Sequence, residues 1–181
     1  MKLTEKNIEE IIATPPFTLE KLDVIYEGEE QQPNHPWYRL RCRDWVNIVP
    51  LTQDGEVILV DQPRVGPMHH TLETPGGVVD EGEDPLKAAE RELEEETGYR
   101  AASITKLLSI NPNPAIMTNT LHVFVAKGCT LAEDRRHFPD ASERIRLEIV
   151  SLDKVTSLLQ EGKIGNALAA VGLLMAQSTL P

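Results

Sequence analysis

Apolar runs and helical stripes alternate along most of the chain. Residues 45–51 (Trp-Val-Asn-Ile-Val-Pro-Leu) and 56–61 (Glu-Val-Ile-Leu-Val-Asp) flank Asp54-Gly55, a pairing that predicts a hairpin with both strands in a central mixed sheet. Residues 103–110, 120–127 and 144–150 read as further strands, the last of them alternating strictly. Asp84 as a cap, Pro85 at the first turn and Gly98 at the close predict a helix over 85–96, with Leu86, Ala89 and Leu93 facing the core. After Ser151, a candidate cap, Leu152, Val155, Leu158 and Leu159 mark a helix closed near Gly162. Leu168, Val171, Leu174 and Met175 mark another over about 166–177, and both stripes read as core.

Upstream the pattern is looser. Thr4 can cap a short helix carrying Ile8, Ile11 and Ile12 that ends before Pro15-Pro16. Residues 17–27 read as a strand, 31–36 as a loop, and 37–43 as a strand in which Tyr38, Leu40 and Cys42 alternate with Arg39, Arg41 and Arg43. This divides the chain into an N-terminal segment, 1–44, and a main domain, 45–181. Helices before and after a central sheet predict an α/β/α sandwich.

Composition narrows the function class. At 181 residues, with 40% hydrophobic content and no run long enough to cross a bilayer, the expectation is one soluble domain with an appended segment. A net charge of −11 argues against nonspecific nucleic-acid binding. Cys42 and Cys129 lie far apart without metal-ligand spacing and no secretory signal is present, so free structural thiols in a reducing cytoplasm are expected. In so acidic a chain the Arg39–Arg43 row reads as a solvated strand face, a phosphate contact or a surface for a partner subunit. His69 and His70 read as exposed loop histidines.

The 85–96 helix carries the candidate chemistry. Glu92, Glu94, Glu95 and Glu96 crowd its C-terminal turn, where the helix dipole makes each acid unfavourable by about 0.3–1 kcal/mol. Something cationic is expected to offset them. Glu92, Glu95 and Glu96 share a face at i, i+3 and i, i+4 spacing, and clustered carboxylate oxygens suit hard divalent cations.

The stretch from Gly77 to Tyr99 resembles the Nudix box, G-x5-E-x7-R-E-U-x-E-E-x-G-U with U a bulky apolar residue. The matching positions are Gly77, Glu83, Arg91, Glu92, Leu93, Glu95, Glu96, Gly98 and Tyr99. This resemblance implies the Nudix α/β/α fold and hydrolysis of a nucleoside diphosphate linked to another group. It implies Mg²⁺ or Mn²⁺ held by Glu92, Glu95, Glu96 and the Gly76 carbonyl, with Glu96 counted among the catalytic groups too, and Glu83 and Arg91 bracing the loop and helix.

Gln62-Pro63-Arg64 and Leu72-Glu73-Thr74-Pro75-Gly76-Gly77 resemble the ADP-ribose pyrophosphatase and nucleoside diphosphate sugar hydrolase branch, as does Pro114, sixteen positions after Gly98. The Glu161–Ala167 run resembles that branch as well. By this likeness Arg64 contacts the diphosphate or terminal ribose region, Glu73 lies near metals or substrate and Pro114 joins the substrate side, to which the basic row adds Arg39 as a candidate phosphate contact. The polar 128–143 segment matches the loop that supplies a catalytic base, Glu143 first and Asp140 second. The products would be a nucleoside monophosphate and a sugar phosphate.

Two departures, Gly76 where relatives often have Ala and no acid just after Pro114, leave room for other nucleotide sugars. Trp37 and Tyr38 read as core or as a nucleobase stack. The open alternatives are a Nudix enzyme acting on oxidised nucleoside triphosphates or coenzyme A, and a module that binds nucleotide sugars without cleaving them. The resemblance also implies a homodimer, while charge, hydropathy and cysteine usage lead to the expectation of a cytoplasmic protein with no nucleic-acid or membrane partner.

Overall fold

The computed structural model describes residues 2–29, 33–139 and 144–179. Residues 3–13 do not form the helix that the isoleucine spacing predicts. They form strand β1 (Leu3–Ala13), antiparallel to β2 (Thr18–Tyr26), which pairs with β3 (Trp37–Arg41) in a three-stranded sheet. A helix this short is marginal alone, and β-branched isoleucines favour an extended chain. Cross-strand polar pairs then decide the outcome: Asn7 donates to Asp23 at 2.8 Å and Lys21 to Glu9 at 3.4 Å. Two register shifts, with Asn7 at φ 49°, absorb the mismatch in the apolar pattern.

The arginine row is committed within this sheet. Glu20, 4% exposed, receives Arg39 Nε at 2.7 Å and Arg41 Nε at 2.6 Å, while Arg39 also pairs with Glu5 and Arg41 with Glu10. Burial alone would raise the Glu20 carboxyl, but the two guanidinium bonds outweigh it and hold the group below the ordinary carboxylate range. Arg39 and Arg41 thus meet acids of their own sheet, while the Arg41 side chain is still 49% exposed. Leu40 exchanges backbone bonds with the 111–120 segment, donating to Ile116 O at 2.7 Å and accepting from Thr118 N at 3.1 Å. The described parts of Met1–Asp44 and Asn111–Thr120 make one compact unit; those of Trp45–Ile110 and Leu121–Pro181 make the other.

In the second unit, β4 (Trp45–Thr52) and β5 (Glu56–Arg64) belong to an eight-stranded mixed sheet with β6 (His69–Glu73), β7 (Gly76–Val78), β8 (Tyr99–Arg100), β9 (Ser103–Ile110), β10 (Leu121–Leu131) and β11 (Arg146–Ser151). β10 runs parallel to β4; the other pairings are antiparallel. The apolar runs are continuous because both faces are covered. Val46, Ile48, Ile58 and Phe124 pack on one side with Ala88, Ala89 and Leu93 of helix α1 (Pro85–Thr97). Val49, Leu51, Val57 and Leu59 pack on the other with Val155 of α2 (Val155–Gln160) and with α3 (Ala167–Thr179). This is the three-layer α/β/α arrangement.

Several expectations shift in detail. The histidines lie on strand β6, exposed, and not on a loop. β5 runs on through Arg64, so Gln62-Pro63-Arg64 is strand, and β10 extends to Leu131 before the chain turns irregular. Ser151 precedes a 3₁₀ turn over Leu152–Lys154 without a side-chain cap bond. α3 buries Ala169, Gly172, Leu173 and Ala176, and Leu174 of the predicted stripe is 48% exposed. Its sequence is apolar almost all round, so periodicity could not single out the packed face. Small residues define it, because they let the helix approach the sheet: a Cβ on Gly172 would lie 2.8 Å from Asn47 Oδ1 and 3.3 Å from Val49 and Val123 methyl groups. Both cysteines are free, and burial pushes the Cys129 thiol up to about 11. No described helix is long and apolar enough to cross a membrane.

α1 begins and ends as its sequence requires. Asp84 accepts from Leu86 N at 2.9 Å, and Gly98, at φ 75°, donates to Glu94 O at 2.8 Å. The cations expected at its C-terminus come from outside the helix. Arg135 Nη2 donates to Glu95 O at 2.6 Å. Glu94, 4% exposed, takes the Arg100 fork at 2.8 and 2.9 Å and the backbone N–H groups of Arg136 and His137. The Arg100 bonds, aided by those two amides, lower the Glu94 carboxyl to about 2 against the burial that would raise it.

Two outcomes follow from this packing. Gly172→Val is expected to destabilise the fold by about 1–3 kcal/mol through overpacking, read by urea unfolding; an unchanged midpoint would contradict the close approach. Glu94 titrates near 2 when folded and 4.5 when unfolded, so its contribution is complete above pH 4.5 and is lost as pH falls toward 2. The stability gap between wild type and Glu94→Gln should therefore narrow across that window, and a gap constant with pH would refute the assignment.

Candidate active site

Arg91 organises the acidic face of α1. Its Nη1 donates to Glu92 at 2.7 Å and Glu95 at 2.8 Å, its Nε and Nη2 to Glu83 at 3.1 and 3.0 Å, and its Nη2 to Val78 O at 3.0 Å. One guanidinium thus offsets three carboxylates and ties the loop before the helix to strand β7. The Arg91 bonds hold Glu83 below the ordinary carboxylate range, and those with Glu83 above all raise the Arg91 pKa further. The bracing implied for Glu83 and Arg91 is the geometry observed.

Glu96, 7% exposed, is fixed from the sheet side. It accepts from the backbone N–H of Gly76 at 2.9 Å and from Gln62 Nε2 at 3.4 Å. The glycines of β7 permit two other close approaches: a Cβ on Gly77 would collide with the Glu92 carboxylate, and one on Gly76 with Val46 O of β4. Glu92 can therefore lie directly against the β7 backbone.

This donor set fits a divalent cation. It consists of carboxylate oxygens on rigid elements, with Glu92 seated in a glycine cradle so close to β7 that a Cβ on Gly77 would collide with it. Among the described residues no three acidic, histidine or cysteine side chains are gathered to hold an ion as they stand. The reason is visible in the contacts: Arg91 lies between Glu92 and Glu95 as their counter-ion.

Beyond the helix, β5 and β6 bring Arg64 and Glu73 together. Glu73, 3% exposed, accepts Arg64 Nε and Nη2 at 2.9 Å each, the Thr71 hydroxyl, and Asn166 Nδ2 at 2.6 Å. Both of its oxygens are thus doubly engaged, and Arg64, which the likeness assigns to the substrate, has a side chain 44% exposed.

The remaining expected positions are distributed as follows. Arg39 and Pro114 belong to the N-terminal unit, Arg39 in the Glu20 and Glu5 pairs and Pro114 in the segment bonded to β3. Trp37 and Tyr38 are exposed, Trp37 tilted at 40° to the His35 ring, so neither is core. Asp140 and Glu143, the base candidates, lie outside the described residues. Sequence reasoning missed Asn166, Thr71, Gln62 and Arg135. For Asn166 the signal was present, an Asn directly before a helix that it caps, and Thr71 lies two positions from Glu73 on one strand; Gln62 and Arg135 are placed only by tertiary pairing.

A cavity of about 710 Å³ adjoins this face, lined by Glu83 and Arg91 and, further round α1, by Lys87, Glu90, Arg100 and His137. Its charged walls are largely paired internally, Lys87 with Glu90 and Arg100 with Glu94.

Residues 43–169 match the NUDIX domain family model. The chain is 32% identical to the ADP-ribose pyrophosphatase of Bacillus subtilis (strain 168), over 73% of this chain and 71% of that one. It is 36% identical to the CMP-5'-(N-acetyl-N-hydroxy-3-aminopropyl)phosphonate hydrolase of Streptomyces rubellomurinus, over 87% and 74%. Its fold is similar to a crystal structure of an ADP compounds hydrolase, with a TM-score of 0.85 at 26% identity, covering 99% of this chain and 95% of that one. Enzymes of this family generally use divalent metal ions. With the acidic face, the glycine cradle and these likenesses together, the chain belongs to the Nudix family, and it is a pyrophosphatase of that family.

Proposed function

We propose that the protein hydrolyses the diphosphate bond of ADP-ribose or a related nucleoside diphosphate sugar in a Mg²⁺- or Mn²⁺-dependent reaction. The observation that carries this reading is the convergence of Glu92, Glu95 and Glu96 on one face of α1, held by Arg91 and the β7 backbone. Glu92, Glu95, Glu96 and the Gly76 carbonyl would hold the ions, which when bound neutralise phosphoryl charge and make water a stronger nucleophile.

The chain's own groups do the rest. Arg91 keeps Glu92 and Glu95 aimed at the site, and Gln62 with the Gly76 amide orients Glu96. Arg64, oriented by its two bonds to Glu73, binds the anionic diphosphate through its guanidinium. A water attacks one phosphorus, Glu143 or Asp140 accepts its proton, and the bridging P–O bond breaks to give a nucleoside monophosphate and a sugar phosphate. The names of the relatives, one directed at ADP-ribose and one at a CMP-linked phosphonate, support a nucleotide carrying a variable second group.

The enzyme is further proposed to act in a reducing cytoplasm as a homodimer through the N-terminal strands. In support, both thiols are free, and edge strand β1 carries Leu3, Ile8, Ile11 and Ile12 exposed. A dimeric mass by light scattering is expected; a monomer with full activity would rule the dimer out.

Glu95→Gln and Glu96→Gln should each lower kcat by about 10²-fold or more, since each removes a charged ligand from the reacting centre. The assay is monophosphate release with Mg²⁺ across a panel of ADP-ribose, other nucleoside diphosphate sugars, nucleoside triphosphates and coenzyme A. Retained turnover in both variants would refute the metal roles, and a preference for triphosphates or coenzyme A would refute the substrate class.

A further inference from the structure

We infer that Asn166 is a positioning residue for the substrate-contacting arginine, acting through Glu73. The inference rests on the reading of Arg64 as the anion contact and adds to it the group that holds that arginine in place.

The orientation of the Asn166 amide is fixed by its neighbours. Its Oδ1 accepts from Leu168 N at 2.8 Å and Ala169 N at 3.2 Å, capping α3, so the other end of the amide must be the donor. That end, Nδ2, reaches Glu73 Oε2 at 2.6 Å. A flipped amide would set a carbonyl oxygen against a carboxylate and an NH₂ group against two N–H donors.

Glu73 is buried with four donors on its two oxygens, so its orientation depends on every donor being in place. Arg64 takes one donor position on each oxygen, and Thr71 and Asn166 fill the remaining two. Thr71 lies on the same strand as Glu73 and moves with it. Asn166 is different, because it is anchored to the first turn of α3, whose Ala169, Gly172, Leu173 and Ala176 are packed into the sheet. It therefore references the carboxylate, and through the bidentate fork the plane of the Arg64 guanidinium, to the rigid core. Without it Oε2 loses its fixed neutral donor, the carboxylate can rotate, and the fork loses its aim.

Substitution separates the two jobs of Asn166. Asn166→Ser keeps a good helix cap but its short hydroxyl cannot span to Glu73, and Asn166→Asp keeps the cap while replacing the donor by a second carboxylate. With ADP-ribose and Mg²⁺, Asn166→Ser should raise KM about tenfold, the scale of one hydrogen bond to a charged group, with kcat within about twofold. Asn166→Asp should raise KM further. Arg64→Ala should raise KM by at least as much as Asn166→Ser, and adding Asn166→Ser to it should do nothing more.

Thermal melts of each variant establish that the cap and fold are kept. If Arg64→Ala leaves KM unchanged, the arginine is not the anion contact and both readings fall. If Arg64→Ala raises KM but Asn166→Ser does not, or raises it equally when Arg64 is already gone, only the positioning role is overturned.

Discussion

Carboxylates gathered at the C-terminal end of one helix repel each other and the helix dipole, and the main unit is arranged around making that tolerable. Each acid is given a different remedy. Glu94 turns away into a buried clasp with Arg100 and two backbone amides. Glu92 and Glu95 share a single nitrogen of Arg91. Glu96 leans on the Gly76 amide and Gln62. Arg135 covers the last carbonyls from across the fold. Three of the four acids thus lie on one face of the helix with Glu92 and Glu95 half-buried and Glu96 buried, an arrangement that a purely structural helix would avoid.

The sheet supplies the same kind of control on the substrate side. Arg64 lies at the end of β5, where a strand terminus alone would leave a long side chain free to wander. The buried Glu73 fork removes that freedom, and the cap of α3 holds the fork. The small-residue face of α3 that brings the helix close to β4 therefore also sets how firmly the arginine is held. Packing and binding are linked through one asparagine.

Much of this was legible in the sequence. The box residues, Asp84, Pro85 and Gly98 defined α1 because caps and breakers act locally, and the β4–β5 hairpin followed from Asp54-Gly55 between apolar runs. What failed depended on partners distant in the chain. β1 carries isoleucines at helical spacing, yet acids at Glu5, Glu9 and Glu10 meet cations on β2 and β3, which no local rule contains. The face of α3 was misread because glycine and alanine, and not leucine, mark a close approach. The acid pairing of Arg39 and Arg41 was not legible because Glu20, nineteen and twenty-one positions earlier, could not be placed beneath them.

The central claim is that the ion site belongs to one face of α1 and not to the helix's acidity in general. Manganese binding in the absence of substrate, followed by the loss of the free-ion electron paramagnetic resonance signal, tests it most directly. Wild type and Glu90→Gln, whose acid lies on the opposite face and pairs with Lys87, should bind alike, while Glu92→Gln and Glu96→Gln should weaken binding by about tenfold or more. Equal loss in all three variants, or no binding by the wild type, would contradict the account.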